Sequence, residues 1–210
     1  RQAFRYLDTG ALYRTVAFAF VNAEATPTNS NAEDILSDCA LDLRFDTDDT
    51  LHVMLNDTDI SDAIRTSEVG DMASQVAALP AVREALLPVQ RRIAQRWSRT
   101  TGGVVADGRD TGTVVFPNAD LKVFMQASLE ERARRRHEEY ETSTSTKTPS
   151  LSSVRKEIQR RDAKDRKRDL APLRRPEDAV LVDTTSMTFE EQVEAIEALI
   201  ERVDAGTDSS

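Results

Sequence analysis

Three short runs, GGVVADGRD at 102–110, LKVFMQA at 121–127 and AVLVDTT at 179–185, carry clustered rather than alternating apolar residues and end on polar ones. Strands of this kind are buried on both faces, as in a parallel sheet covered by helices. Helical spacing fills much of the remaining chain. Leu12, Val16, Ala19 and Phe20 share one face of a segment at 10–24, and Val82, Leu86, Val89 and Ile93 share a face after Pro80, which suits a helix start. Ser128 and Glu131 stand at capping-box spacing before a helix expected over 128–140. Further helices are expected over 33–39, 151–170 and 189–203. Strands alternating with helices imply an α/β fold with a parallel core.

LDLRF at 41–45 and LHVML at 51–55 behave differently, because their apolar residues alternate and the polar run DTDDT divides them. That is a hairpin pattern, and with the helix-rich stretch up to Thr101 it reads as a lobe inserted into the core. The low-complexity stretch ETSTSTKTPS at 141–150 is expected to be a mobile loop, and GTDSS at 206–210 a frayed tail.

A formal charge of -9, from 37 acidic and 28 basic residues, argues against non-specific binding of a nucleic acid polymer. The acidic excess fits either adaptation to high salt or an ordinary solvated surface. An anionic substrate would need locally concentrated positive charge. One cysteine, Cys39, and two histidines provide neither an internal disulfide nor a metal-ligand spacing, which favours the cytoplasm. No apolar run approaches the roughly 20 residues of a membrane span. The chain opens on Arg1, and its first residues read as a helix end running into a strand, so an upstream segment is expected.

Positive charge is concentrated in a few places. The strand at 102–110 delivers Asp107, Gly108, Arg109 and Asp110 to its carboxyl end, where open α/β sheets bind ligands. Gly108 and Gly112 permit close backbone approach, Arg109 can grip a phosphate bidentately, and Asp110 can accept from an amine or hydroxyl. An ordinary structural turn would have the same composition. In RRDAKDRKRDLAPL, Arg161, Asp165 and Arg168 are spaced to share one helix face, which suits a phosphosugar and equally a solvated salt-bridged surface. Arg132, Arg135 and Arg136 form a further cluster, and the two arginine-rich helices around a loop suggest a lid. LDTGALYR places Thr9 and Arg14 at a helix start, near an anion or simply at a capped terminus.

These segments, with ASQVAALPAVREALLPVQR at 73–91 and DGRDTGTVVFP at 107–117, occur in an order that resembles bacterial cytidylate kinases from Tyr6 to about Glu201. The resemblance implies a parallel-sheet nucleoside-monophosphate kinase core of the P-loop kinase type at 1–40 and 102–210. It also implies a small β/helical CMP-binding insertion at 41–101 and a helical lid at about 137–168. Residue by residue it implies that Ser74, Arg83 and Asp110 read the cytosine edge, and that Arg14, Arg109 and Arg168 grip the CMP phosphate. Arg161 and Asp165 would be the sugar-binding pair, with Thr9 and Tyr13 lining the pocket. Arg109, Arg161 and Arg168 are the catalytic candidates, and Arg132, Arg136 and Lys164 the lid and ATP-side candidates. The partners implied are ATP and CMP or dCMP, with Mg2+ arriving with ATP and no all-protein metal site; a monomer is expected.

Two departures qualify the resemblance. No G-x-x-x-x-G-K-[ST] occurs in the 210 residues, so the loop that positions ATP phosphates in that family is missing and this exact chain is expected to be a poor catalyst. Lys164 stands where the family often has arginine, keeping charge without bidentate geometry. Rival readings are a kinase of UMP, AMP or shikimate and a non-catalytic nucleotide-binding module. His137 is expected to have a surface role.

Overall fold

The computed structural model describes residues 4–142 and 148–207. The chain divides into two compact units between Thr111 and Gly112. The expected loop at 141–150 and tail at 206–210 lie in part outside the described residues.

In the first unit, β1 (Phe4–Asp8) runs directly into α1 (Thr9–Asn22), and α2 (Asn29–Ser37) precedes the hairpin β2 (Leu41–Phe45) and β3 (Leu51–Leu55). A two-residue strand, β4 (Thr58–Asp59), joins β3 antiparallel and completes a three-stranded sheet. A 3-10 turn at Ala63–Arg65 then leads to α3 (Ser67–Val76), α4 (Pro80–Ser98) and β5 (Gly103–Asp107). β5 returns parallel to β1, pairing Leu7 with Ala106 and Asp8 with Asp107.

The reasons for these elements are local. Asp8 Oδ1 accepts from Ala11 N at 2.9 Å and caps α1, whose Leu12, Val16 and Phe20 are fully buried. Pro80 occupies the first turn of α4. The buried stripe of α4 runs Val82, Leu86, Gln90, Ile93 and Trp97, so Gln90 takes the inward position expected of Val89. Steps of four residues turn the stripe slowly around the helix, and they carry it onto the amide. The hairpin buries Leu41, Leu43 and Val53 on one face, and Trp97 tilts against Phe45 with ring centroids 5.1 Å apart.

In the second unit, β6 (Val123–Gln126) pairs parallel with β7 (Val180–Asp183), and α5 (Leu129–Thr142), α6 (Leu151–Lys167) and α7 (Phe189–Thr207) surround this pair in sequence. Ser128 Oγ accepts from Glu131 N at 3.1 Å, as the spacing implied. α5 and α6 pack on one another with little apolar burial beyond Ala133 and Val154. Ion pairs supply further links, Arg132 to Asp162 at 2.7 Å and Arg155 to Glu130 at 3.2 Å. The architecture is α/β, with parallel strands in each unit.

α6 stops earlier than the sequence pattern suggested. Arg168 is its cap, in extended conformation, so it follows the helix rather than sharing a face with Arg161 and Asp165. The cause lies just beyond: Ala171 turns with φ +47°, Pro172 cannot continue a helix, and Leu173 N donates to Asp165 O at 2.8 Å, occupying a carbonyl of the last turn.

Candidate functional site

The carboxyl ends of β1 and β5 form the floor of the first group of candidate residues. Thr9 is buried, and its hydroxyl donates to Asp107 O at 2.6 Å, tying the start of α1 to the end of β5. Gly108 makes that approach possible. Its φ is +159°, and a Cβ there would collide with Thr9 Oγ1 and lie 2.8 Å from Thr111 Cγ2. Thr9 therefore spends its hydroxyl on the backbone.

Arg83 and Asp110 meet directly. Arg83 Nη1 donates to Asp110 Oδ2 at 2.7 Å, with the side chains only 11% and 7% exposed. Arg83 Nε donates to Ala77 O at 2.8 Å at the end of α3, and the guanidinium lies 5.6 Å from the Tyr13 ring centroid. Three elements thus fix one planar donor beside one carboxylate. Such a pair offers donors and acceptors in a fixed plane, as recognition of a flat polar ring requires.

Arg14 is oriented by a different set of atoms. Its Nη1 donates to Ile64 O at 2.9 Å, and Gly70 of α3 faces the guanidinium, a Cβ there standing 3.5 Å from both terminal nitrogens. Ser74 lies one turn further along α3 and its hydroxyl donates to Gly70 O at 3.4 Å. Arg109 follows β5 in the same turn as Asp110, and its charge acts on the neighbouring Asp107.

Sequence reasoning passed over the pair Asp8 and Asp107. They are register partners at the two strand ends. Desolvation, and then the facing charge of Asp8, raise the pKa of Asp107, while the same desolvation and both acids push the Tyr6 phenol up. The available signal was that both acids terminate strands feeding a turn with Gly. A facing carboxylate pair of this sort fits a hard divalent cation that brings most of its own ligands. Among the described residues no cluster of three or more His, Cys, Asp or Glu could hold a metal by itself.

The second unit holds Arg132, Arg136, Arg161, Lys164, Asp165 and Arg168. Arg168 Nη1 is 3.7 Å from Asp165 Oδ1, and its Nη2 donates to Ala171 O at 3.0 Å. Arg161 and Lys164 are exposed on α6. Arg132 binds both carboxylate oxygens of Asp162, at 3.1 and 2.7 Å, and Ala127 O at 3.1 Å. Arg136 pairs instead with Glu139 at 2.7 Å and lies 4.9 Å from the Tyr140 ring centroid, so the two α5 candidates face different partners.

Comparison with known proteins places the chain in a family. The model of the family described as cytidylate kinase matches residues 1–202. The chain belongs to the cytidylate kinase family. It is 48% identical over 205 residues to a cytidylate kinase of Salinibacter ruber, covering 98% of this chain and 88% of that protein. A cytidylate kinase of Pseudomonas aeruginosa is 46% identical over 199 residues, covering 93% and 83% of the two chains. One of Methylococcus capsulatus is 42% identical over 201 residues, covering 96% and 87%. Membership in the cytidylate kinase family gives the buried Arg83–Asp110 pair and the Arg14 cradle a chemical context that neither has alone. No helix among the described residues is long and apolar enough to cross a membrane.

Proposed function

We propose that this chain transfers the γ-phosphoryl group of ATP to CMP or dCMP, giving ADP and CDP or dCDP, as a cytoplasmic, monomeric enzyme of pyrimidine nucleotide metabolism. The observation that carries the reading is the match to the cytidylate kinase family over residues 1–202. The Arg83–Asp110 pair supports it, because cytosine presents an exocyclic amine that a carboxylate can accept from and a carbonyl and ring nitrogen that a guanidinium can donate to.

In this reading Asp110 and Arg83, with Ser74, select the base, and Tyr13 and Thr9 line its pocket. Arg14, Arg109 and Arg168 hold the CMP phosphate, whose oxygen attacks the γ-phosphorus in line while the bond to the ADP oxygen breaks. Arg161 and Asp165 hold the sugar. Arg109, Arg161 and Arg168 spread the charge of the transferring group, and Arg132, Arg136 and Lys164 serve on the ATP side when the lid at about 137–168 excludes water. Residues 1–40 and 102–210 act as the core and 41–101 as the CMP-binding insertion. Mg2+ arriving with ATP would be held by Asp8 and Asp107 and would neutralise phosphate charge.

ADP release with CMP, dCMP, UMP and AMP tests this reading. Turnover of CMP and dCMP ahead of the others is expected, at a low absolute rate for these 210 residues, which contain no G-x-x-x-x-G-K-[ST], and equal turnover of UMP or AMP would move the chain to another nucleotide class. A second reading is a nucleotide-binding module without catalysis. Binding of CMP without ADP release would select it.

A further inference from the structure

His52 lies on β3 with a carboxylate at each ring nitrogen: Nδ1 is 2.6 Å from Asp59 Oδ2 and Nε2 is 3.0 Å from Asp46 Oδ2. A neutral imidazole has one N–H and one lone pair, so it can donate to only one of them. The imidazolium donates to both.

Each carboxylate is pinned in turn. Asp46 Oδ1 accepts from Asp48 N and Thr50 N at 2.9 Å each, closing the turn between β2 and β3. Asp59 Oδ1 accepts from Ser61 N at 2.9 Å and Ser61 Oγ at 2.6 Å. Ser61 Oγ accepts from Val53 N at 2.9 Å, which returns the chain of bonds to β3 one residue from His52.

From Ser61 the path to Arg14 is short. Ile60 N donates to Val53 O at 2.9 Å, Ile64 N donates to Ile60 O at 3.1 Å, and Ile64 O accepts Arg14 Nη1 at 2.9 Å. Ile60 and Ile64 are both buried, so this turn holds one seat in the core.

We propose that His52 is a positioning residue for the CMP phosphate: by bridging Asp46 and Asp59 as an imidazolium it fixes the turn at 60–64, and through the Ile64 carbonyl it fixes the orientation of Arg14. The inference rests on the cytidylate kinase reading, in which Arg14 grips that phosphate, and adds to it a residue whose charge depends on pH.

The charged neighbours are consistent with a stable imidazolium. Arg44, the cross-strand partner of His52 on β2, is engaged by Asp42 at 3.1 Å and Asp57 at 2.7 Å. Asp49 in the turn pairs with Arg5, and Arg65 Nε donates to Ser61 O at 3.3 Å. The hydrogen bonds to Asp46 and then Asp59 raise the pKa of His52 above its ordinary value. The positive charge is therefore retained above the ordinary imidazole range of about 6.5 and lost as pH rises through the raised value.

The test is calorimetric titration of CMP and of cytidine into the protein between pH 7 and 9, above the second phosphate ionisation near about 6. CMP affinity should fall as pH rises by about two- to fivefold, the size that an exposed ion pair carries. Cytidine, which lacks the phosphate, should not follow. His52→Gln should bind CMP at the weaker level throughout with a flat profile, and His52→Arg should stay flat near the tighter level. The His52 ring proton, identified by its loss in His52→Gln, should titrate over the same range. A His52→Gln profile identical to wild type, or a parallel fall for cytidine, would overturn the inference. No CMP binding at any pH would sink the kinase reading and the inference with it.

Discussion

Arg83 Nη1 stands 2.7 Å from Asp110 Oδ2, joining the first turn of α4 to the turn that follows β5, while Ala77 O and the Tyr13 ring hold the same guanidinium from other sides. The pair is almost closed to solvent. Asp110→Ala should therefore have two effects. It should weaken CMP more than UMP, because only cytosine presents the exocyclic amine. It should also lower stability, by about 3 kcal/mol, since an arginine is left buried without its counter-charge. Titration calorimetry with both nucleotides and a denaturant melt check these outcomes; equal losses for CMP and UMP would reject the base-reading role.

Gly108→Ala should be costly out of proportion to its size. A methyl at φ +159° would meet Thr9 Oγ1 and Thr111 Cγ2, and the bond from Thr9 to Asp107 O would have to move with it. A loss of about 2 kcal/mol or more is expected from strain of this kind. A urea melt measures it, and Gly10→Ala, whose added Cβ would meet only Asp8 Oδ1 at 3.1 Å, serves as the milder comparison.

Gln90 offers the opposite result. Its side chain is 1% exposed between Leu86 and Ile93 on the inner face of α4, and its Oε1 has no hydrogen-bond partner among the described residues. Gln90→Leu removes a buried acceptor that is unsatisfied, so it should raise stability by about 1 kcal/mol, visible as a higher thermal midpoint.

Asp107 should trade stability for function. Desolvation and the facing Asp8 raise its pKa, so the native state holds a proton that the unfolded chain releases. Stability then falls as pH rises from the ordinary carboxylate range through the raised value, and the penalty persists at neutral pH. Asp107→Asn should melt higher than wild type at pH 7 and lose that advantage at acid pH, while needing more Mg2+ for ADP release. Scanning calorimetry at pH 4 and 7 with a Mg2+ series tests both halves.

Much of this was legible in the chain. The apolar runs at 102–110, 121–127 and 179–185 contain strands, but these are not buried on both faces as expected, since Val105, Met125, Val180 and Leu181 are exposed; the hairpin falls where alternation placed it, and Pro80 and Ser128 begin helices as their chemistry requires. What escaped depends on register and on local turns. The sequence marks Asp8 and Asp107 as strand ends beside glycines but does not pair them, because that register joins residues far apart in the chain. The four-residue drift that turns Gln90 inward, and the short strand Thr58–Asp59 that brings Asp59 to His52, are set by packing rather than by pattern. Arg168 lies outside its helix because Ala171 and Leu173 end the helix just before it.

The most direct test of the central claim is the affinity of the protein for CMP against UMP, measured by titration calorimetry under one set of conditions. If Arg83 and Asp110 read cytosine, CMP binds at least about tenfold tighter, since UMP replaces a donated amine with an oxygen facing a carboxylate. Equal affinity for the two nucleotides would contradict the account.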